Sequence, residues 1–225
     1  MGQAIGDLLP LALGVAISPI PIIAVIVMLL SSRAGANSAS FLIGWIVGVT
    51  GASIALVSIS SSLSPGSNGS PSTSSSVIKL VAGLLLVMLA RRNFRKRPKE
   101  GQTAELPGWL AGIDSFTPPK AAGLGVLLSA ANPKNLLLMA GAMVALSQYH
   151  LAVGQEAIVV AVFVLIAVST VAAPVIVYRA AGDNAHDLLG SMKAWLGQNS
   201  ATVMGVLLLV IGVVLVGKGI GGLSQ

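Results

Sequence analysis

Proline interrupts two bilayer-length apolar runs of this chain, at matching places in its two halves. The first interruption is Ala16-Ile17-Ser18-Pro19-Ile20-Pro21-Ile22-Ile23, inside a run from about Leu8 to Leu30. The second is Ala130-Ala131-Asn132-Pro133-Lys134-Asn135-Leu136-Leu137, inside a run from about Leu124 to Leu146. Proline donates no backbone hydrogen bond and clashes with the preceding turn, so a central proline frees carbonyls in hydrocarbon, where no water can pair them. Such a break persists where the freed groups line an enclosed cavity or are paired by neighbouring helices. Two breaks in corresponding helices point to a transporter built from repeats, with its site near the midplane. The simpler alternative is a pair of kinks that only shapes packing.

The rest of the chain agrees with a membrane setting. It is 55% hydrophobic and 9% charged, with a mean hydropathy of +0.91. Its apolar runs approach or exceed the ~20 residues that cross hydrocarbon as a helix, whereas barrel strands alternate over about ten. Met1–Asp7 has no basic residue before the first run, so 8–30 reads as a retained span rather than a secretory signal. Cysteine is absent, which excludes thiol–disulfide chemistry and thiolate metal sites. The formal charge of +6 belongs to loops and gives no basic soluble domain for nucleic acid.

Six spans follow, at about 8–30, 39–62, 77–90, 122–147, 155–178 and 201–219. The third is short and is expected to begin near Ser74. Arg91-Arg92-Asn93-Phe94-Arg95-Lys96-Arg97-Pro98-Lys99 is the dense basic run, and Arg33, Arg179 and Lys193 fall in loops on the same side. The loops around 63–76 and 148–154 have no Lys or Arg. The positive-inside rule then places the basic loops in the cytoplasm and both termini outside, in a multi-pass plasma-membrane protein. Trp109, Tyr178 and Trp195 suit an aromatic belt on the basic side. The basic run is needed for topology; recruitment of anionic lipid is the other reading.

The Ser-, Gly- and Pro-rich stretch Ser60–Ser76 cannot support a packed core. Its Asn68-Gly69-Ser70 sequon is too short a match to carry a role. Leu106, Trp109, Leu110, Ile113 and Phe116 recur at helical spacing, which predicts an interfacial helix ended by Pro118-Pro119.

A shift of 114 residues lays Pro19 on Pro133 and Pro21 on Asn135, with three spans in each half. Three is odd, so the halves would enter the membrane in opposite senses. The expected fold is therefore an all-α integral membrane protein: six transmembrane helices as a 3+3 inverted repeat, with proline-broken helices 1 and 4. It forms one membrane domain over 1–225, with a first repeat at 1–90, a basic loop and interfacial helix at 91–121, and a second repeat at 122–225.

Lys134 is the one basic residue deep in an apolar segment. An ammonium there costs at least ~2.5–3.5 kcal/mol on insertion scales, so it needs a cavity or a partner. The alternative is a later helix start that leaves it snorkelling to the interface. Asn132 and Asn135 flank it with amide donors and acceptors. Gly44-Trp45-Ile46-Val47-Gly48 is a small-xxx-small seam, serving packing within a protomer or across a homodimer. Gly205 and Gly212 read the same way. No catalytic constellation stands out, so no enzyme activity and no cofactor are expected. Asp183, His186 and Asp187 read as a solvated loop rather than a metal site.

Ser18-Pro19-Ile20-Pro21-Ile22-Ile23, Met28-Leu29-Leu30-Ser31-Ser32-Arg33 and Phe41-Leu42-Ile43-Gly44-Trp45 resemble the GAP family of actinobacterial membrane proteins, the sulfolipid- or peptidoglycolipid-addressing proteins. Ile113-Asp114, Pro118-Pro119-Lys120-Ala121 and Asn132-Pro133-Lys134-Asn135-Leu136 resemble the second half of that pattern. The resemblance implies a place in the wider lysine-exporter (LysE) superfamily of three-plus-three transporters. It also implies a part in moving glycolipids toward the cell-envelope surface, alongside larger lipid-export machinery. Arg33, Asp114, Lys120 and Lys134 are the charged positions carried over from it. With the break residues Ser18, Pro19, Pro21, Asn132, Pro133 and Asn135 they form the candidate substrate site. The leading expectation is a transporter or flippase for an amphipathic glycolipid. The rivals are an exporter of a small amino acid or cation, and a non-transporting scaffold of a lipid-export complex.

Overall fold

The structure is a computed structural model that describes residues 1–63, 73–98 and 107–224. The Asn68-Gly69-Ser70 sequon, Lys99 and Leu106 lie outside the described residues. Every regular element described is helical: α1 (Gly2–Ala16), α2 (Pro19–Leu29), α3 (Ala34–Leu63), α4 (Thr73–Arg95), α5 (Pro118–Ala130), α6 (Pro133–Ser147), α7 (Val153–Ala181) and α8 (Ala185–Leu223). Short 3-10 turns cover Gly108–Ser115 and Gly182–Asn184.

Three of these helices are long and apolar enough to cross a membrane among the described residues: Ala34–Ser60 of α3, α7 and α8. A fourth candidate is the pair α1 and α2, which passes the same test together and is bent by 51° at the break between them. The sixfold reading needs two more crossings, one by α4 and one by α5 followed by α6.

Each proline-led helix starts where chemistry places it. Pro19 and Pro133 sit at the first helical position of α2 and α6, where a missing N–H costs nothing and φ is already set for a helix. Ser18 and Asn132 precede them in extended conformation as N-caps. α7 ends at Gly182, whose φ of +54° favours glycine.

The helices associate through small residues, because lipid gives no hydrophobic drive between them. A Cβ on Gly44 would fall on the Ala122 carbonyl, and one on Gly125 on the Phe41 carbonyl, so α3 and α5 touch backbone to backbone. A Cβ on Gly83 would stand 2.8 Å from the Gly212 carbonyl oxygen, and the converse distance is 2.9 Å, which joins α4 to α8 in the same way. The Gly44–Gly48 seam and Gly212 therefore serve packing inside one protomer. Phe41, Trp45, Ile23, Met139, Met143 and Phe163 fill the core between the seams. Leu165, Ile176, Met88 and Val213 face outward, as a lipid-contacting surface requires.

Some packing pairs exchange between the two halves and others do not; α1 packs on α6 and α2 on α3 without a comparable α5–α2 or α6–α7 contact. α3 packs on α5 and on α6, while α7 packs on α1 and on α2. α4 meets α6 as α8 meets α2, and α4 packs along α8.

Two expectations need correction. The expected surface helix is, over its described part, a 3-10 helix at Gly108–Ser115 that turns Leu110 and Ile113 into the core. Asn37 Nδ2 donates to the Phe116 carbonyl at 2.9 Å, and Pro118 then opens α5 rather than merely ending what precedes it. The stretch after Asn184 is also no loop. It is the first part of α8, whose 39 residues reach about 58 Å at 1.5 Å per residue, far beyond the hydrocarbon. That excess length carries His186, which stacks on Tyr178 with ring centroids 6.0 Å apart.

Candidate functional site

The break between α1 and α2 has a definite hydrogen-bond problem, and the second half of the chain solves it. Pro19 and Pro21 have no N–H, so the carbonyls of Val15 and Ile17, four residues earlier, lose their helical donors. The Ser18 N–H turns to Ala16 at 2.8 Å, which frees the Gly14 carbonyl as well. Three carbonyls thus need donors at mid-span.

Lys134 supplies most of them. It stands at the second position of α6 with only 6% of its surface exposed. Its Nζ donates to the Gly14 carbonyl at 2.7 Å, to Ser18 Oγ at 2.6 Å and to the Ile17 carbonyl at 3.4 Å. The three N–H groups of an ammonium thus meet three acceptors. Ser18 Oγ donates in turn to the Val15 carbonyl at 2.7 Å. Thr170 of α7 donates its hydroxyl to the Ala16 carbonyl. A cation at the carbonyl end of α1 also complements the negative pole of that half-helix.

The second break is satisfied more locally. Asn132 Oδ1 accepts from the Lys134 N–H at 3.0 Å, a side-chain N-cap. Asn135, fully buried, donates Nδ2 to the Leu128 carbonyl at 3.2 Å and holds its Oδ1 3.5 Å from Ser18 Oγ. Both breaks are true interruptions, as the sequence indicates, and Lys134 does not snorkel. The space between them is taken by the Lys134 side chain itself.

The structure brings together Ser18, Pro19, Pro21, Lys134 and Asn135, all buried, with Asn132 and Pro133 at the edge of the group. It does not bring in the other charged candidates. Arg33, Asp114 and Lys120 are exposed, and none of them bonds to Lys134. Lys134 and Asp114 do not pair: Leu110 and Ile113 turn inward on the 3-10 helix and leave Asp114 facing out.

Two features escaped the sequence reading. Thr170 is one; the signal was a hydroxyl in an apolar span, four residues before the in-helix Pro174. It also lines an apolar groove of about 480 Å³ between α2, α7 and α8, with Ile22, Pro174, Ser191, Met192, Trp195 and Leu196. The other is a polar cluster at the opposite end from the basic run. There Tyr149 donates to Asp7 at 2.6 Å, and Lys218 pairs with Asp7 at 2.9 Å. Burial, and next its bond to Asp7, pushes the Tyr149 hydroxyl up to about 12.

No curated protein and no solved structure matches this chain. Among protein families, the description "Sap, sulfolipid-1-addressing protein" matches residues 8–221, nearly the whole length and including both breaks and the lysine that joins them. With that match across a helical membrane bundle, the chain belongs to the sulfolipid-1-addressing protein family.

Proposed function

We propose that this protein is a transporter or flippase that moves an amphipathic glycolipid across the plasma membrane, with no enzymatic step. The observation that carries the reading is the double role of Thr170. Its hydroxyl caps the Ala16 carbonyl at the break, and the same residue lines the apolar groove. A polar head and its chains have adjoining places there: the head at the polar break, the chains in the apolar groove beside it. The family's printed name points to a sulfolipid as the kind of lipid handled. An anionic head would compete for Lys134 Nζ, drawing it from the Gly14 and Ile17 carbonyls, so loading and rearrangement of the break would be one event.

The packing pairs that do exchange between the halves, α3 on α5 and α6 against α7 on α1 and α2, favour a 3+3 inverted repeat, as in the lysine-exporter superfamily, in which rocking of one half on the other gives alternating access. Both termini would then face outward. The small-solute reading is weaker, because the Asp7 carboxylate is held by Tyr149 and Lys218.

A scaffold for a lipid-export complex is favoured by one observation: the donors of Lys134 are already fully engaged, as a fixed structural cap would be. Proteoliposomes separate the readings. The transporter should move a labelled anionic glycolipid between leaflets and leave labelled amino acids and cations in place. Met192→Trp, which fills the groove, should slow the lipid at least tenfold at equal abundance. Lipid movement at the rate of empty vesicles would overturn the proposal in favour of the scaffold.

A further inference from the structure

At the basic end of α4 a second cleft, of about 330 Å³, lies between α4 and α8, well apart from the break residues. Val87, Ala90 and Leu209 give it apolar walls, and Arg91 and Arg95 stand one helical turn apart at its mouth with Phe94 between them. Gly205 makes the arrangement possible: a Cβ there would stand 3.1 Å from the Phe94 ring, so the ring lies close against α8 only because residue 205 has no side chain. Arg97 sits over the same ring, 5.1 Å from its centroid. Arg91 and Arg95 are exposed, and no described carboxylate pairs with either; the ion pair of Lys218 with Asp7 lies at the far end of these helices.

We propose that this cleft is a binding site for one anionic phospholipid of the leaflet on the basic side. The two guanidinium forks match a phosphate diester, which accepts paired N–H donors. The acyl chains continue down the apolar wall formed by Val87 and Leu209. Interhelical basic clefts at a membrane interface have the general chemistry for such headgroups. This site is independent of the break and holds whether or not the break carries a glycolipid. Occupied, it bridges α4 and α8, the pair that would have to slide if the halves rock.

Native mass spectrometry of the purified full-length protein in detergent, titrated with phosphatidylglycerol or phosphatidylcholine, tests the proposal. Wild type should retain one phosphatidylglycerol in preference to phosphatidylcholine. Arg91→Gln with Arg95→Gln should weaken that binding roughly thirty-fold, on the usual scale of attraction per basic residue near an anionic surface. Arg92→Gln with Lys96→Gln removes equal charge outside the cleft and should weaken it only a few-fold. Leu209→Trp keeps every basic residue, and with them the topology signal, but fills the cleft; it should also lower retention at least tenfold. Equal losses from the two charge-removing pairs, or unchanged retention in Leu209→Trp, would overturn the site in favour of diffuse attraction. Competition by glycerol phosphate at concentrations comparable to the lipid would overturn it in favour of a soluble phosphate site.

Discussion

Lys134 Nζ lies 2.7 Å from the carbonyl oxygen of Gly14, so a side chain from the second half of the protein closes the helix end that proline opened in the first. The two breaks are therefore one structural unit. The residue that looked most like a substrate ligand also pairs backbone groups that hydrocarbon cannot.

That double duty sets the first prediction. Lys134→Met should destabilise the fold by about 2 kcal/mol or more, since the Gly14 and Ile17 carbonyls lose their donor and each unpaired buried group costs ~1–3 kcal/mol. Thr170→Val should cost less, about 1 kcal/mol, because the Ala16 carbonyl keeps the Ser18 N–H as a donor. Thermal unfolding of both variants in one detergent gives the order. A Met variant as stable as wild type would mean that the break is not closed by Lys134.

The glycine seams give a paired test. Gly44→Ala puts a methyl group on the Ala122 carbonyl and should cost about 1–3 kcal/mol or more, because backbone cannot give way as a side chain can. Gly51→Ala, on the same helix, meets nothing within 4 Å. There the gain in helix propensity should leave stability unchanged or raise it by up to about 1 kcal/mol. Equal melting temperatures for the two variants would argue against close α3–α5 contact.

Tyr149 should titrate late. Its hydroxyl is pushed up to about 12 from an ordinary value of 10.0, so the protonated form is favoured in the folded state. The associated stability is complete below pH 10 and is lost as pH rises toward 12. In a Tyr178→Phe background, phenolate absorbance followed against pH should report this single tyrosine. Asp7→Asn should bring the midpoint down, since the carboxylate is part of its cause. A midpoint near the ordinary value in the Asp7-containing protein would contradict the bond.

Orientation can be read with introduced cysteines, because the chain has none of its own. Val153→Cys, at the most exposed large apolar position among the described residues, should react with an impermeant reagent in intact cells. Lys120→Cys should react only after permeabilisation. The reverse pattern would turn the whole bundle over.

Much of this was legible before any coordinates. Pro19 and Pro133 announced true breaks because a missing N–H is a covalent fact, independent of context. Gly44-xxx-Gly48 announced a seam for a similar reason, since only small residues let helix backbones touch. That Arg33, Asp114 and Lys120 are exposed and do not bond to Lys134 was not legible, because charge type says nothing about which way a helix or turn rotates. The 3-10 turn at Gly108–Ser115 buries Ile113 and so swings Asp114 outward, a choice made by the cavity that Ile113 fills. The start of α8 was read as a loop because Asp187, Lys193 and Asn199 break the apolar run. A helix that emerges from the membrane has no need to stay apolar.

The sequence by itself determined where the backbone must break, which residues permit close packing, and that a lysine would have to be neutralised or paired inside an apolar span. All three are local properties of proline, glycine and a buried amine. Only the tertiary structure decided that the lysine of one break would serve the carbonyls of the other, that Thr170 would join them, and that a groove would open beside that junction. Those depend on the packing of helices more than a hundred residues apart in the chain, where the freed acceptors of one half met the donors of the other because no water was there to take their place.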